Sequence, residues 1–261
     1  MPEGFFPSRG RADTSPRMTD DTHPDPDLLA KIAAGSARVE RLEHGGKTLW
    51  VKRSEQLRGK LRIYKGDPAR AFCAERDALL ALSGRGLPVA EIVASGEDFI
   101  VTEAAGKSLK HLLRFEEHPT SERIIFMQAA ARGLAALHTA GFSHGRPNLK
   151  DILWDGQAIR FIDFERAAPH RNNARGHTED VILFFFSAFA EVGDMEVIDA
   201  ARVAYLESGG APFWNMAAKR MKRLRWAYWL SRLAVPFLGR GRDFRAIKPT
   251  FAYFRSFASD G

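Results

Sequence analysis

The chain has 261 residues, 45% hydrophobic and 27% charged, an ordinary globular composition with enough apolar material for a sizeable core. Its one cysteine, Cys73, excludes an intramolecular disulfide and a cysteine-built zinc site, and suits a reducing compartment. The net charge of +7 is unevenly placed: residues 211–261 hold eleven Lys and Arg against two Asp, an excess of nine, so everything before them carries a net −2.

Residues 1–27 are rich in Pro, Asp, Ser and Thr and lack apolar periodicity, which predicts a disordered leader. No signal-peptide core stands at the N-terminus, and no apolar run approaches the roughly 18 residues of a membrane-spanning helix, so a cytoplasmic protein is expected. Order is expected from Leu28. Residues 37–43 and 47–53 read as two strands joined at His44-Gly45-Gly46, with a turn at Ala34-Gly35-Ser36 before them. In the alternating string Leu49-Trp50-Val51-Lys52-Arg53, Lys52 shares a face with Trp50 and points inward if Trp50 does. Arg53 falls on the opposite face, where its long side chain reaches solvent.

Residues 68–84 predict a helix with Phe72, Leu79 and Leu82 on one stripe. Glu75 lies in that stripe, and a carboxylate on the buried side of a helix needs a partner. Lys52 is the natural one. Asp77 falls on a more polar face. Residues 88–95 form a connector and a strand, and Phe99 to Thr102 another, leading into Glu103-Ala104-Ala105-Gly106. A short helix over 108–113 and a long one over 121–139 follow, the second with Phe126, Ala130, Leu134 and Leu137 on one stripe and Gly141 at its end.

The stretch 142–167, FSHGRPNLKDILWDGQAIRFIDFERA, is the centre of the chain. Ile152 to Trp154 and Ile159 to Ile162 predict two short strands around an Asp155-Gly156 hairpin turn. A hairpin brings its two ends together, so Asp151 and Asp163 converge. Two carboxylates at the mouth of a small sheet suit a hard cation of the Mg²⁺ kind. Residues 166–177 are polar and irregular. Thr178 is a candidate cap for a helix whose run Val181 to Ala190 is apolar nearly all round, with Asp180 in its first turn. A helix near 195–208 and another over 212–238 complete the reading. The last carries Lys219, Arg220, Lys222, Arg223 and Arg225 among Met, Trp and Tyr. That mixture fits either a helix packed on the domain with a solvated basic face or a peripheral contact with anionic membrane. No nucleic-acid-reading motif accompanies it.

The string His144-Gly145-Arg146-Pro147-Asn148-Leu149-Lys150-Asp151-Ile152-Leu153, followed by Asp163-Phe164-Glu165, resembles the catalytic and metal-binding loops of the protein-kinase-like superfamily. It is nearest the bacterial lipopolysaccharide (Kdo/heptose) kinase group. The resemblance implies an α+β bilobal fold, with an antiparallel-sheet N-lobe over 28–103 and a larger, mainly helical C-lobe over 104–261. It implies ATP and Mg²⁺ as cofactors and a saccharide or glycolipid hydroxyl as acceptor. Lys52, oriented by Glu75, would contact the α- and β-phosphates. Gly35 and Ser36 would belong to the phosphate-covering loop, and Glu103 to the hinge that meets adenine. Asp151 and Asp163 would hold the metal, and Asp180 would hold the backbone of the catalytic loop.

Three positions depart from that pattern. Arg146 stands at the catalytic Asp, Asp151 at the metal-binding Asn, and Glu165 at the Gly of the second loop. A guanidinium cannot accept a proton, but it can contact a phosphate or an acidic group of the acceptor. Asp151 and Glu165 are the carboxylates open to a base role, and the residues alone do not choose between them. The departures keep a second reading open, a pseudokinase or nucleotide-binding scaffold. A protein Ser/Thr acceptor is a third, disfavoured by the short segment after Asp163.

Overall fold

The computed structural model describes residues 25–54, 68–224 and 242–258. Most of the leader expected over 1–27 lies outside them. Order begins earlier than Leu28, because Asp25 caps helix α1 (Pro26–Ala34) by accepting from the Asp27 N–H, with Pro26 at the first helical position. Strands β1 (Val39–His44) and β2 (Lys47–Arg53) form the expected hairpin. With β3 (Ile92–Ser95) and β4 (Phe99–Glu103) they make an antiparallel sheet of order β1-β2-β4-β3. Helix α2 (Pro68–Leu82) precedes β3.

One face of this sheet is apolar. Leu49, Val51, Ala94 and Val101 pack there against Leu28 and Ile32 of α1. The other face carries Trp50 and Lys52 and looks into a cleft. The expectation for Trp50 is therefore corrected. It does share a face with Lys52, but that face is the open one, and Trp50 is 41% exposed. The buried pair of the strand is Leu49 and Val51, because α1 covers their side. Arg53 also differs from expectation. Its guanidinium turns back onto the end of α1, donating to the carbonyls of Ile32 and Ala37 and pairing with Glu40 at 2.9 Å.

The larger half is helical. Strand β5 (Lys107–Ser108) pairs with β6 (Ile152–Trp154), which pairs with β7 (Ile159–Phe161). Gly106 lies in the left-handed region at φ +85°, and a Cβ there would stand 1.9 Å from the Trp154 carbonyl oxygen, so the close approach of these segments needs glycine. Ser108 caps α3 (Leu109–Phe115). Helix α4 (Thr120–Thr139) runs through the centre, with Met127, Ala130, Ala131, Leu134 and Leu137 fully buried.

Helix α5 (Ala174–Glu191) is capped by Asn173, whose side chain accepts from the N–H groups of Arg175 and Gly176. Thr178 is not the cap: its hydroxyl donates to the Ala174 carbonyl within the helix. Asp180 accordingly sits in the second turn rather than the first. Helices α6 (Met195–Tyr205) and α7 (Ala211–Arg223) follow. A last helix, α8 (Arg242–Ser256), was not legible in the sequence. Its Tyr253 and Phe254 pack with Phe185 of α5 and Trp214 of α7 in one aromatic cluster. Trp214 and Met221 of α7 therefore face the core, and Lys219 and Arg223 stand exposed. The part of the basic helix expected over 225–238 lies outside the described residues.

The two halves are tied beside the cleft. Phe161 of β7 accepts from the Ala90 N–H and donates to the Pro88 carbonyl, so the connector before β3 runs parallel to β7. The result is a small antiparallel-sheet part before a helical part, the protein-kinase-like α+β fold. Among the described residues, no helix is long and apolar enough to cross a membrane.

Candidate active site

The sheet, α2 and the segment after β7 meet at three side chains. Lys52 sits next to the last residue of β2, opposite Ile100 of β4. Glu75 is only 5% exposed, in the stripe of Phe72 and Leu79, and its carboxylate pairs with the Lys52 ammonium. Asp163 joins them from the far side, with Oδ1 3.2 Å from Lys52 Nζ. Burial works against the charged form of Lys52, but Glu75 and Asp163 outweigh it and hold the ammonium above its ordinary range. Glu75 is deeper and shares that ammonium with Asp163, so burial leaves its carboxyl above the usual value. Asp163 moves the other way: burial would raise it, but Lys52, Lys150 and Arg146 together hold it low.

Asp163 has φ +66°, the one non-glycine residue in the left-handed region among the described residues. Such a conformation costs about 1–2 kcal/mol and is least unfavourable for Asp and Asn. The surroundings hold it. His144 contacts the Ile162 carbonyl at 3.0 Å and lies against the fully buried ring of Phe164 at 4.5 Å.

The loop before β6 is fixed from the helical half. The Asp180 carboxylate, fully buried on α5, accepts from the N–H groups of both His144 (2.7 Å) and Gly145 (2.8 Å). It thereby satisfies two backbone donors that burial would otherwise orphan. Its neighbour His138 lies 3.4 Å away and contacts the Tyr205 hydroxyl at 2.7 Å. Gly145 has φ +91°, and a Cβ on it would stand 2.5 Å from the Arg166 carbonyl oxygen. Ser187 of α5 accepts from the Leu149 N–H, which ends the loop in a single 3₁₀ turn, Leu149–Asp151.

The hairpin does bring Asp151 and Asp163 to one place. The Asp151 carbonyl accepts from the Ile162 N–H at 3.0 Å, one residue before Asp163. Asp151 is 5% exposed, and its Oδ2 is buried with no hydrogen-bond partner among the described residues. Burial, with Asp163 adding to it and Lys150 opposing, pushes its carboxyl up to about 6. A buried, unpartnered carboxylate oxygen beside a second carboxylate fits a hard divalent cation. Among the described residues no three His, Cys, Asp or Glu side chains gather as a self-contained metal site. An ion here would take these two carboxylates and complete its shell with oxygens of a ligand, the habit of Mg²⁺.

The remaining predicted residues divide. Arg146 reaches the same place, with its guanidinium 2.9 Å from Glu165 and 3.7 Å from Asp163. Glu103 lines the cleft and pairs with Lys47. Gly35 and Ser36 do not line it. Gly35 ends α1 against the Glu40–Arg53 pair, and Arg38 and Val39 take the place expected of Gly35 and Ser36 at the cleft. The cleft encloses about 590 Å³, and its lining combines the apolar Leu79, Ala90, Ile100 and Leu153 with the charged residues described above. Lys150 is a member the sequence reading passed over, although it adjoins Asp151. Its Nζ lies 3.2 Å from Asp151 and 3.9 Å from Asp163.

One feature of the loop's support responds to pH. His177 contacts the Ser143 hydroxyl at 2.9 Å, directly before His144, and stacks on His138 at 4.6 Å. Burial, with His138 beside it, lowers its imidazole from the ordinary 6.5 to about 4. The folded value lies below the unfolded one, so unfolding takes up a proton and stability falls as pH drops from 6.5 toward 4. Thermal unfolding across that window should show this loss, and His177→Gln should flatten the profile. An identical slope in the variant would remove His177 from the account.

Residues 33–200 match the family model described as the Lipopolysaccharide kinase (Kdo/WaaP) family. An uncharacterized protein of Haemophilus influenzae is 28% identical over 195 residues, which is 74% of this chain and 80% of that protein. The family match covers more than half of the chain and spans the Lys52–Glu75 pair, the 144–151 loop and Asp163; the chain belongs to the lipopolysaccharide kinase (Kdo/WaaP) family.

Proposed function

We propose that this protein transfers the γ-phosphoryl group of ATP to a hydroxyl of a saccharide or lipid-linked saccharide, such as lipopolysaccharide core, at the cytoplasmic side of a membrane. The observation that carries the proposal is the convergence of Lys52, Glu75, Asp151 and Asp163 in one cleft that Leu79, Ala90, Ile100 and Leu153 also line. Adenine would enter the cleft that Ile100 and Leu153 line, beside the hinge that starts at Glu103. Lys52, held by Glu75, meets the α- and β-phosphates. Asp151 and Asp163 hold Mg²⁺, which supplies neutralisation of phosphate charge when bound. Phosphoryl transfer needs mainly positioning and charge compensation, and these four residues supply both.

Arg146 accepts no proton, so it serves the reaction as a cation, toward a transferring phosphate or an acidic group of the acceptor. General-base help contributes typically about 10² to 10⁴ in rate, so its absence at position 146 slows a kinase without abolishing one. A nucleotide-binding scaffold without transfer is the second reading, and Arg146 is the observation that favours it.

Incubation with γ-labelled ATP, Mg²⁺ and purified lipopolysaccharide separates the two. Wild type should label the saccharide, and Asp163→Ala should lose at least about 10²-fold in rate, as expected for removal of a charge-positioning group. Nucleotide binding with no label on any saccharide would replace the kinase reading by the scaffold.

The exposed Lys219 and Arg223 of α7 support a peripheral contact with anionic membrane, made chiefly by charge, since Trp214 and Met221 of this helix point inward and Met216 is its exposed large apolar side chain. The protein should sediment with vesicles containing anionic lipid and be released as salt shortens the screening length. Equal binding to neutral vesicles would contradict it.

A further inference from the structure

We propose that Lys150 is an internal competitor of the divalent cation, and that it couples cation binding to nucleotide binding. The inference rests on the reading of Asp151 and Asp163 as the cation's carboxylates, and adds a residue that governs their loading.

One ammonium touches both carboxylates: Lys150 Nζ stands 3.2 Å from Asp151 Oδ1 and 3.9 Å from Asp163 Oδ2. The backbone fixes that closeness, because the Ile162 N–H is bonded to the Asp151 carbonyl. Two carboxylates so held repel each other unless a cation lies near them. Three cations surround Asp163, and they are not equivalent. Lys52 is also paired with buried Glu75, and Arg146 with Glu165. Among the described residues, both ion pairs of Lys150 are with the proposed cation ligands themselves.

Lys150 is also the side chain with room to leave. Its side chain is 47% exposed, against 23% for Lys52 and 33% for Arg146, and it lines the open cleft. A divalent ion bound by these carboxylates would lie within a few ångströms of the ammonium, where like charges in a half-buried site repel strongly. A cation alone therefore binds against Lys150. A nucleotide changes this, because its phosphates in the same cleft give the ammonium a new anionic partner. Cation and nucleotide then favour each other, and thermodynamic linkage makes the effect reciprocal. Asp151 Oδ2 completes the device: buried, and without a hydrogen-bond partner among the described residues, it is available to an ion.

The test titrates Mn²⁺ into the full chain by calorimetry, alone and then with a non-hydrolysable ATP analogue. Lys150→Met should bind Mn²⁺ alone about tenfold more tightly than wild type, within the ordinary range of coupling between sites. The gain from adding the analogue should shrink by a similar factor. Lys150→Arg keeps the charge and should behave as wild type. Equal or weaker Mn²⁺ binding by Lys150→Met would overturn the proposal; if Asp163→Asn still abolishes binding, the carboxylate assignment survives that result. Absence of Mn²⁺ binding by wild type and Lys150→Met, even with the analogue, would overturn both.

Discussion

The structure depends on one part-buried interaction, the ammonium of Lys52 held between Glu75 and Asp163. These residues come from a strand, a helix and a post-hairpin turn, 23 and 111 positions apart in the sequence. Their meeting fixes α2 against the sheet and the sheet against the hairpin. Such a triad is a poor way to gain stability. Desolvation offsets most of the Coulomb attraction, and a well-packed apolar substitute is often as stable or more so. Removing one partner is a different matter: it strands a buried charge and costs about 3–5 kcal/mol. A site that needs a fixed cation facing a cleft has a reason to keep this arrangement that a core has not.

The second constraint comes from the helical half. Asp180 on α5 holds the backbone of His144 and Gly145, and His144 in turn contacts the carbonyl just before Asp163. A buried helix thus sets the position of both loops that carry the proposed cation ligands. The left-handed backbone of Asp163 is sustained by this support, and local strain of that kind gathers where surrounding structure over-determines a residue. The site is buried where it faces the core, and Lys150 and Arg146 reach into the cleft with more exposed side chains.

Much of this was legible because burial and pairing leave periodic traces. Glu75 stood in an apolar stripe with a lysine upstream, and an Asp-Gly turn between two apolar runs announced the hairpin that joins Asp151 to Asp163. The misses share a physical cause, since each depended on which neighbour covers a given face. Trp50 reads as a core residue until α1 is known to cover the other side of the sheet. Arg53 reads as solvated until the carbonyls at the end of α1 are in reach. Asp25-Pro26 was an available signal for α1, a capping residue followed by a first-turn proline, and Asn173 was an available cap for α5. Helix α8 carries an internal Pro249, and its apolar side is defined by distant partners on α5 and α7. The place of Lys150 is set by the 3₁₀ turn, which no periodicity foretells.

The central claim is that Glu75 serves the nucleotide site through Lys52 and in no other way. A double-mutant cycle with Lys52→Met and Glu75→Gln, read as affinity for a non-hydrolysable ATP analogue, tests it most directly. Glu75→Gln should weaken binding in the wild-type background and add nothing once Lys52 is gone. Additive losses would mean that the two residues act independently, and would contradict the account.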